Sequence, residues 1–249
     1  MQRLFRFVFA LYGLLVFSIS LLLVFPGYYL IFSTMGKKGP AIAHQFSRLW
    51  ARVVFALLLI RVNVKGTEWI KPDQTYVFIG NHQSLLDIPL FAIACKNTIR
   101  FLAKEELTKI PVMGYVIRKV YVTVKRSDKS NRNKSKVALM NSLQEKISIF
   151  LCPEGTRNKT NEPLLEFRDG AFLLAIEAQV PIAFITVMNT KELLPPTRLD
   201  QLSPGILHGI WNESIPTLGM TESDMPALKE RVHNEMLKNI QHFKQHGHF

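Results

Sequence analysis

The chain is 249 residues long, with 31 Lys and Arg against 19 Asp and Glu, a formal charge of +12, and 48% hydrophobic residues. This excludes a disordered or fibrous chain and leaves one globular domain with an attachment segment, while the basic balance narrows the partners to nucleic acid, an anionic membrane surface or a phosphorylated substrate. The two cysteines, Cys95 and Cys152, follow no metal spacing and build no disulfide framework, which fits a reducing, cytosolic setting.

Residues 7–36 carry no charge, and Phe7 to Phe25 supply nineteen largely apolar positions, enough to span or deeply enter a bilayer. Arg3 and Arg6 precede them without a convincing small-residue cleavage site, so a retained anchor is expected rather than a signal peptide. Pro26-Gly27 is expected to kink or end that helix. A second apolar segment, Ala41 to Ile60, contains Arg48 and Arg52, and its uncharged part, Val53 to Ile60, is too short to cross. With His44 and Trp50 it reads as an interfacial amphipathic helix. Lys37 and Lys38 would face outward if both segments crossed as a hairpin, against the positive-inside tendency. A shallow, one-sided pair is therefore expected, with a single true span as the alternative. Membrane lipids on the cytoplasmic face are expected partners. Nucleic acid is not, because the basic charge comes without an aromatic and basic recognition stretch.

Beyond Arg61 short β-rich runs alternate with helical patterns. Strands are predicted at Val62–Lys65, Thr75–Ile79, Ile99–Ala103, Val120–Val124, Ile147–Leu151, Pro181–Val187 and Ile206–Trp211. Helices are predicted at Ser84–Ala94, Val112–Arg118, Lys134–Glu145 and Asp169–Ala178, and from near Asp224, with Leu228, Val232, Met236, Ile240 and Phe243 on one face. The expected architecture is α/β: a mixed, largely parallel sheet flanked by helices in residues 61–249, preceded by a membrane-associated two-helix segment in residues 1–60.

Between the strand ending at Ile79 and the next helix lies Asn81-His82-Gln83-Ser84-Leu85-Leu86-Asp87. Five residues of helix would set His82 and Asp87 about 140° apart, so they meet only if His82 lies in the turn and Asp87 in the first helical turn. The carboxylate then fixes one imidazole nitrogen as donor and leaves the other to take a proton from a substrate hydroxyl, a base with its orienter and no protein nucleophile. Ser84-Leu85-Leu86-Asp87 equally fits a helix cap with Ser84 at its start, and from this stretch alone both readings stand.

Lys104 follows a strand end and Arg126 ends another; each is a cation placed to meet an anionic substrate, or a solvated surface charge. The basic stretch Lys125 to Lys136 suits coenzyme A phosphates, an acidic carrier protein, lipid headgroups or plain solvation. Pro153-Glu154-Gly155-Thr156-Arg157 follows a buried-looking strand: Gly155 permits a positive φ or close backbone approach, and the Arg157 fork suits phosphate. Glu154 fits poorly as a phosphate ligand and reads as organising that loop. Cys152 reads as a small strand-end residue rather than a nucleophile, since no histidine lies near it in sequence. His242, His246 and His248 sit in a terminus that rarely fixes ligand geometry, so no metal is expected. The sequons at Asn158 and Asn212 carry no weight on a cytosolic face.

In order, N-H-x-x-x-x-D at residues 81–87, then Lys104, Glu106, Leu107, Pro111, Gly114 and Arg126, then P-E-G-T-R at residues 153–157 and Val180-Pro181-Ile182 together resemble the glycerolipid acyltransferase family, specifically its bacterial 1-acylglycerol-3-phosphate acyltransferases. Phe167-Arg168-Asp169-Gly170-Ala171 is similar to the family's basic F-x-x-G-A segment. The resemblance runs from about residue 75 to 186. It implies transfer of a fatty acyl group from acyl-CoA or acyl-carrier protein, as co-substrate and without a cofactor, to the free hydroxyl of lysophosphatidic acid, giving phosphatidic acid. It implies His82 as general base oriented by Asp87, with Glu154, Gly155, Thr156 and Arg157 at the acceptor glycerol phosphate and Lys104 and Arg126 contacting phosphate. Three positions depart from the family pattern: Cys152 stands where an aromatic is usual, Lys119 where a glycine is common, and Asp169 makes its segment less basic. Another lysolipid acceptor and a non-catalytic lipid-binding role are the alternatives.

Overall fold

The computed structural model describes residues 1–125 and 128–247; Arg126 and His248 lie outside the described residues. The chain opens with α1 (Gln2–Thr34) and α2 (Gly39–Leu57), then alternates β1 (Ile60–Lys65), β2 (Val77–Gly80), α3 (Asp87–Ala94), β3 (Ile99–Lys104), α4 (Met113–Val120), β4 (Val122–Val124) and α5 (Lys129–Gln144). It continues with β5 (Ser148–Leu151), α6 (Gly170–Ala178), β6 (Ile182–Val187), a short α7 (Thr190–Leu193), β7 (Gly205–Trp211) and the long α8 (Met225–His246). Every predicted strand is present, each within two residues of its expected limits.

The seven strands form one sheet in the order β1-β7-β6-β2-β5-β3-β4. β6, β2, β5, β3 and β4 run parallel, and the antiparallel pairing of β7 with β6 reverses β7 and its parallel neighbour β1. The sheet is therefore mixed and largely parallel, as expected. At one edge β2, β5, β3, β4 and β6 end while β7 and β1 begin.

Central strands β2, β5 and β6 are buried on both faces, which is why they read as continuous apolar runs rather than alternating ones. Strand parity sorts their side chains into two layers. Val77, Ile79, Ile149, Ile182 and Phe184 pack with Phe172 of α6 and with Leu228, Val232, Met236 and Ile240 of α8. Tyr76, Phe78, Phe150 and Ile185 pack with Leu90 and Phe91 of α3 and with Val54 and Phe55 of α2. The Phe91 and Phe150 rings stack at a centroid distance of 4.2 Å.

Four local expectations need correction. α5 starts at Lys129 and not at Lys134, with the Asp128 side chain accepting the Asn131 N–H as its cap. Pro26 does not end α1, which continues to Thr34. The turn beyond it is held by tertiary contacts: Tyr28 is fully buried, its hydroxyl lies 2.6 Å from Ser47 Oγ, and its ring meets Phe46 edge-on at 5.0 Å. Gly27 leaves the space that Phe46 fills, since a Cβ there would stand 2.7 Å from that ring. These contacts offset the one hydrogen bond a mid-helix proline removes. His44 is not interfacial: it is buried at 3% exposure, its Nε2 lies 3.2 Å from the Cys95 carbonyl, and burial pushes its pKa down to about 4. Finally, α3 starts at Asp87 and not at Ser84, for reasons that belong to the site below.

α1 is long and apolar enough to cross a membrane, and only 11% of its most apolar window is buried. It packs antiparallel on α2, with Phe17 against Trp50 and the Tyr12 hydroxyl donating to the Leu57 carbonyl. Its amino-terminal end is fixed by Arg6, whose Nη2 donates to the carbonyls of Glu192, Leu193 and Gln201. Those residues follow β6, so α1 begins beside the edge at which β2 ends.

Candidate active site

β2 delivers Asn81 and His82 to the carboxyl edge of the sheet, where open α/β folds expose reactive groups. His82 Nδ1 lies 2.7 Å from Asp87 Oδ2, with Asp87 fully buried and the His82 side chain 18% exposed. Asp87 turns back over the residues before it: the same Oδ2 accepts the backbone N–H groups of Gln83 at 2.6 Å and Ser84 at 2.7 Å. Its Oδ1 is buried and meets no donor among the described residues, so the carboxylate's bonds converge on one oxygen. The two readings of the sequence are thus both partly met by one carboxylate, which orients His82 and accepts the Ser84 N–H, but neither Ser84 nor Asp87 caps the helix, which starts at Asp87 without a side-chain cap. Ser84 Oγ donates 2.7 Å to the Leu194 carbonyl and accepts the Leu86 N–H at 3.3 Å, and the chain from 83 to 86 is a turn ahead of the helix. A carboxylate is acceptor only, so it fixes Nδ1 as donor and leaves Nε2 as the basic nitrogen.

The turn is clamped from two further sides. Asn81, fully buried, grips the end of β6: Nδ2 donates to the Val187 carbonyl at 2.8 Å and Oδ1 accepts the Val187 N–H at 2.7 Å. Gln83 Nε2 donates to the same carbonyl at 2.9 Å. From the other side comes the loop after β5. Glu154 Oε1 accepts the His82 backbone N–H at 2.7 Å and Oε2 accepts the Leu165 N–H at 3.1 Å, while the Asn158 N–H donates to the His82 carbonyl at 2.7 Å. Burial raises the Glu154 pKa to about 7 against the opposing pull of those two N–H donors. Both backbone groups of His82 are therefore held by the Pro153–Arg157 loop and its continuation.

That loop has its own reasons for its shape. Gly155 sits at φ +70, and a Cβ there would stand 2.7 Å from Arg168 Nε, so glycine serves both the left-handed backbone and the approach of Arg168. Asn158 is buried; its Oδ1 accepts the N–H and hydroxyl of Thr160, and its Nδ2 donates to the Glu162 carbonyl. This commits the amide that the sequon would offer. Arg157 is half-buried, and its Nη1 is buried without a hydrogen-bond acceptor among the described residues. Arg157 directly precedes Asn158, whose N–H holds the His82 carbonyl, so the loop that holds the histidine also carries a guanidinium suited to an anionic group.

His82, Asp87, Glu154, Gly155 and Arg157 are thus brought together, and Thr156 stands exposed between the last two. Lys104 lies at the same edge at the end of β3, two strands or roughly 10 Å from β2. Its side chain is 54% exposed and pairs with Glu106 at 3.3 Å. The expected site leaves out Asn81, Gln83, Asn158 and Arg168; Asn158, directly after Arg157, is the nearest to a signal, since an asparagine there suits an Asx turn. Among the described residues there is no cluster of three or more His, Cys, Asp or Glu able to hold a metal ion.

A mixed α/β sheet with a carboxylate-oriented histidine at its carboxyl edge is an arrangement able to take a proton from a bound hydroxyl. The Acyltransferase family's sequence model matches residues 61–188, just over half of the chain, and the chain belongs to that family. It is similar to the human 1-acyl-sn-glycerol-3-phosphate acyltransferase alpha, 34% identical over 181 residues that make up 72% of this chain and 63% of the relative. A chloroplast 1-acyl-sn-glycerol-3-phosphate acyltransferase of Arabidopsis thaliana is 29% identical over 181 residues, 72% of this chain and 49% of the relative. The chain thus spans less than two thirds of the length of these relatives. The crystal structure of the 1-acyl-sn-glycerophosphate acyltransferase PlsC from Thermotoga maritima superposes with a TM-score of 0.82 at 25% identity, covering 98% of both chains.

Proposed function

We propose that this protein transfers a fatty acyl group from a thioester donor, acyl-CoA or acyl-carrier protein, to the free hydroxyl of 1-acylglycerol-3-phosphate, forming phosphatidic acid. The observation that carries this reading is the His82–Asp87 contact of 2.7 Å, with the Arg157 Nη1 left without an acceptor among the described residues on the loop that holds the His82 backbone. A base that activates a hydroxyl and a fork that binds a phosphate monoester are what the acceptor needs. The relatives' names supply the substrate class.

In this mechanism Arg157 holds the acceptor phosphate, with Lys104 as a further cation on the same edge, and the acceptor hydroxyl meets His82 Nε2. The hydroxyl oxygen attacks the thioester carbonyl carbon as its proton passes to Nε2. The tetrahedral intermediate collapses, the C–S bond breaks, and Nε2 returns the proton to the departing thiolate. Asp87 stabilises the imidazolium between the two transfers. No acyl-enzyme and no cofactor enter this sequence, and Cys152 has no part in it.

Residues 1–60 serve as the membrane attachment. α1 offers an exposed apolar surface, and its tie through Arg6 to the 192–201 segment sets the catalytic edge beside the membrane that holds the lysolipid. The net charge of +12 suits the anionic cytoplasmic leaflet. The purified full chain, given one acyl-CoA and a panel of lysophosphatidic acid, lysophosphatidylcholine and a lyso-amino-acid lipid, should acylate lysophosphatidic acid with the highest kcat/KM. Preference for an acceptor without a phosphate monoester would replace this reading.

A further inference from the structure

At the outer edge of the sheet, β4, α4 and α5 enclose a cleft of about 430 Å³. Among the described residues four cations line it, Arg100, Arg118, Lys119 and Lys134, together with Asn131 and Tyr121. Two of them are already engaged: Arg118 donates to the Thr108 carbonyl, and Arg100 donates to Ser142 Oγ and lies 3.7 Å from Glu145, itself 62% exposed. Lys119 and Lys134 are exposed and form no ion pair among the described residues. Like charge gathered here, with Glu145 the one carboxylate paired to it among the described residues, makes a surface complementary to an anionic occupant. Lys119 is also one of the residues that depart from the family pattern, and the acyl-transfer reaction leaves it without a role.

The position of the cleft relates it to the catalytic edge. β4 lies three strand spacings from β2, about 14 Å. It ends beside Lys104, and α5 starts there and runs back along it, with Ser135 Oγ donating to the Thr123 carbonyl and Asn131 Oδ1 accepting the Lys125 N–H. Asn131 and Lys134 therefore form the end of the cleft nearer His82. An anion seated here can extend a flexible arm across the ends of β3 and β5 to the imidazole.

We infer that this cleft binds the phosphorylated adenosine diphosphate end of an acyl-CoA donor, with the pantetheine arm crossing the sheet edge to His82. That group carries roughly four negative charges at neutral pH, matching the four cations, and a cleft of this size admits a nucleotide. The alternative donor, an acidic carrier protein, would spread its contacts over a wider surface than one cleft provides. The inference rests on the proposed acyl transfer and adds the donor and its seat.

Two measurements separate the failure of this assignment from failure of the function itself. The first is calorimetric titration of the full chain with coenzyme A and with pantetheine, which lacks the nucleotide. The double variant Lys119→Glu/Lys134→Glu should weaken coenzyme A binding about tenfold or more, increasingly so at low ionic strength, and leave pantetheine binding unchanged. Lys244→Glu, a charge reversal in α8 outside the cleft, should change neither. The second is steady-state transfer to lysophosphatidic acid, in which the double variant should raise KM for acyl-CoA about tenfold while kcat with acyl-pantetheine stays at the wild-type value. Unchanged coenzyme A affinity in the double variant overturns the assignment, as does a KM effect confined to acyl-carrier protein. Normal coenzyme A binding at the cleft without any acyl transfer would overturn the function reading alone.

Discussion

Glu154 reaches across the sheet edge to accept the backbone N–H of His82 at 2.7 Å, and its other oxygen accepts the N–H of Leu165 at 3.1 Å. A residue of the loop after β5 thus holds the main chain of the proposed base. Its carboxyl is buried at 3% exposure and faces backbone donors on both oxygens, so its part is to position His82 rather than to bind acceptor.

This burial has a pH signature. The Glu154 pKa is raised to about 7 in the folded chain, above the ordinary carboxylate range, so the folded state binds this proton more tightly than the unfolded state. The resulting stability is present in full below pH about 4.5 and is lost as pH rises through about 7. Between pH 5.5 and 8 the wild type should lose about 2 kcal/mol relative to Glu154→Gln, which has no such titration. Parallel unfolding profiles for the two proteins would show that the carboxyl is not perturbed.

Asp87→Asn replaces an oxygen that accepts three donors with a group that can place an N–H among them. The imidazole loses the acceptor that fixes its tautomer, and kcat should fall by about 10²–10⁴-fold with little change in acceptor KM. The turn at Gln83 and Ser84 also loses two accepted N–H bonds, so stability should drop by about 1–3 kcal/mol. Full activity in this variant would mean that His82 does not depend on Asp87.

Arg157→Ala removes the guanidinium whose Nη1 lacks an acceptor among the described residues. KM for lysophosphatidic acid should rise about 10–100-fold with a smaller change in kcat, and Arg157→Lys should restore only part, because an ammonium cannot present the bidentate fork. An unaltered KM with lowered expression would assign Arg157 to the fold alone.

Cys152→Ser tests whether an acyl-enzyme intervenes. Direct transfer predicts kcat within about twofold of wild type, measured as phosphatidic acid formed per unit time. A loss of two orders of magnitude with intact folding would point to a thiol nucleophile.

Much of the fold was legible because its signals are local. The seven strands are short apolar runs bounded by turn residues, and the stripe from Leu228 to Ile240 that marks α8 is buried against α6 and the sheet. What escaped depends on contacts between distant residues. Tyr28 and Phe46 carry α1 past Pro26, and the Cys95 carbonyl draws His44 inward, neither of which a local pattern contains. The start of α3 was misplaced because Ser84 fits a cap by spacing, whereas its Oγ accepts the Leu86 N–H within a turn and donates to the Leu194 carbonyl, 110 residues away. His82 and Asp87 stood out because their spacing allows contact only across a turn. The residues that hold them, Asn81 through Val187 and Glu154 through the His82 N–H, act through backbone groups that carry no sequence signature.

The most direct test is phosphatidic acid formation from lysophosphatidic acid and acyl-CoA by the purified wild-type chain and by His82→Ala. The base proposed here makes its contribution in the transfer step, so the variant should remain folded, with an unchanged unfolding midpoint and acceptor KM, while kcat falls by about 10²–10⁴-fold. A folded His82→Ala protein that still forms phosphatidic acid at a rate near that of the wild type would contradict the account.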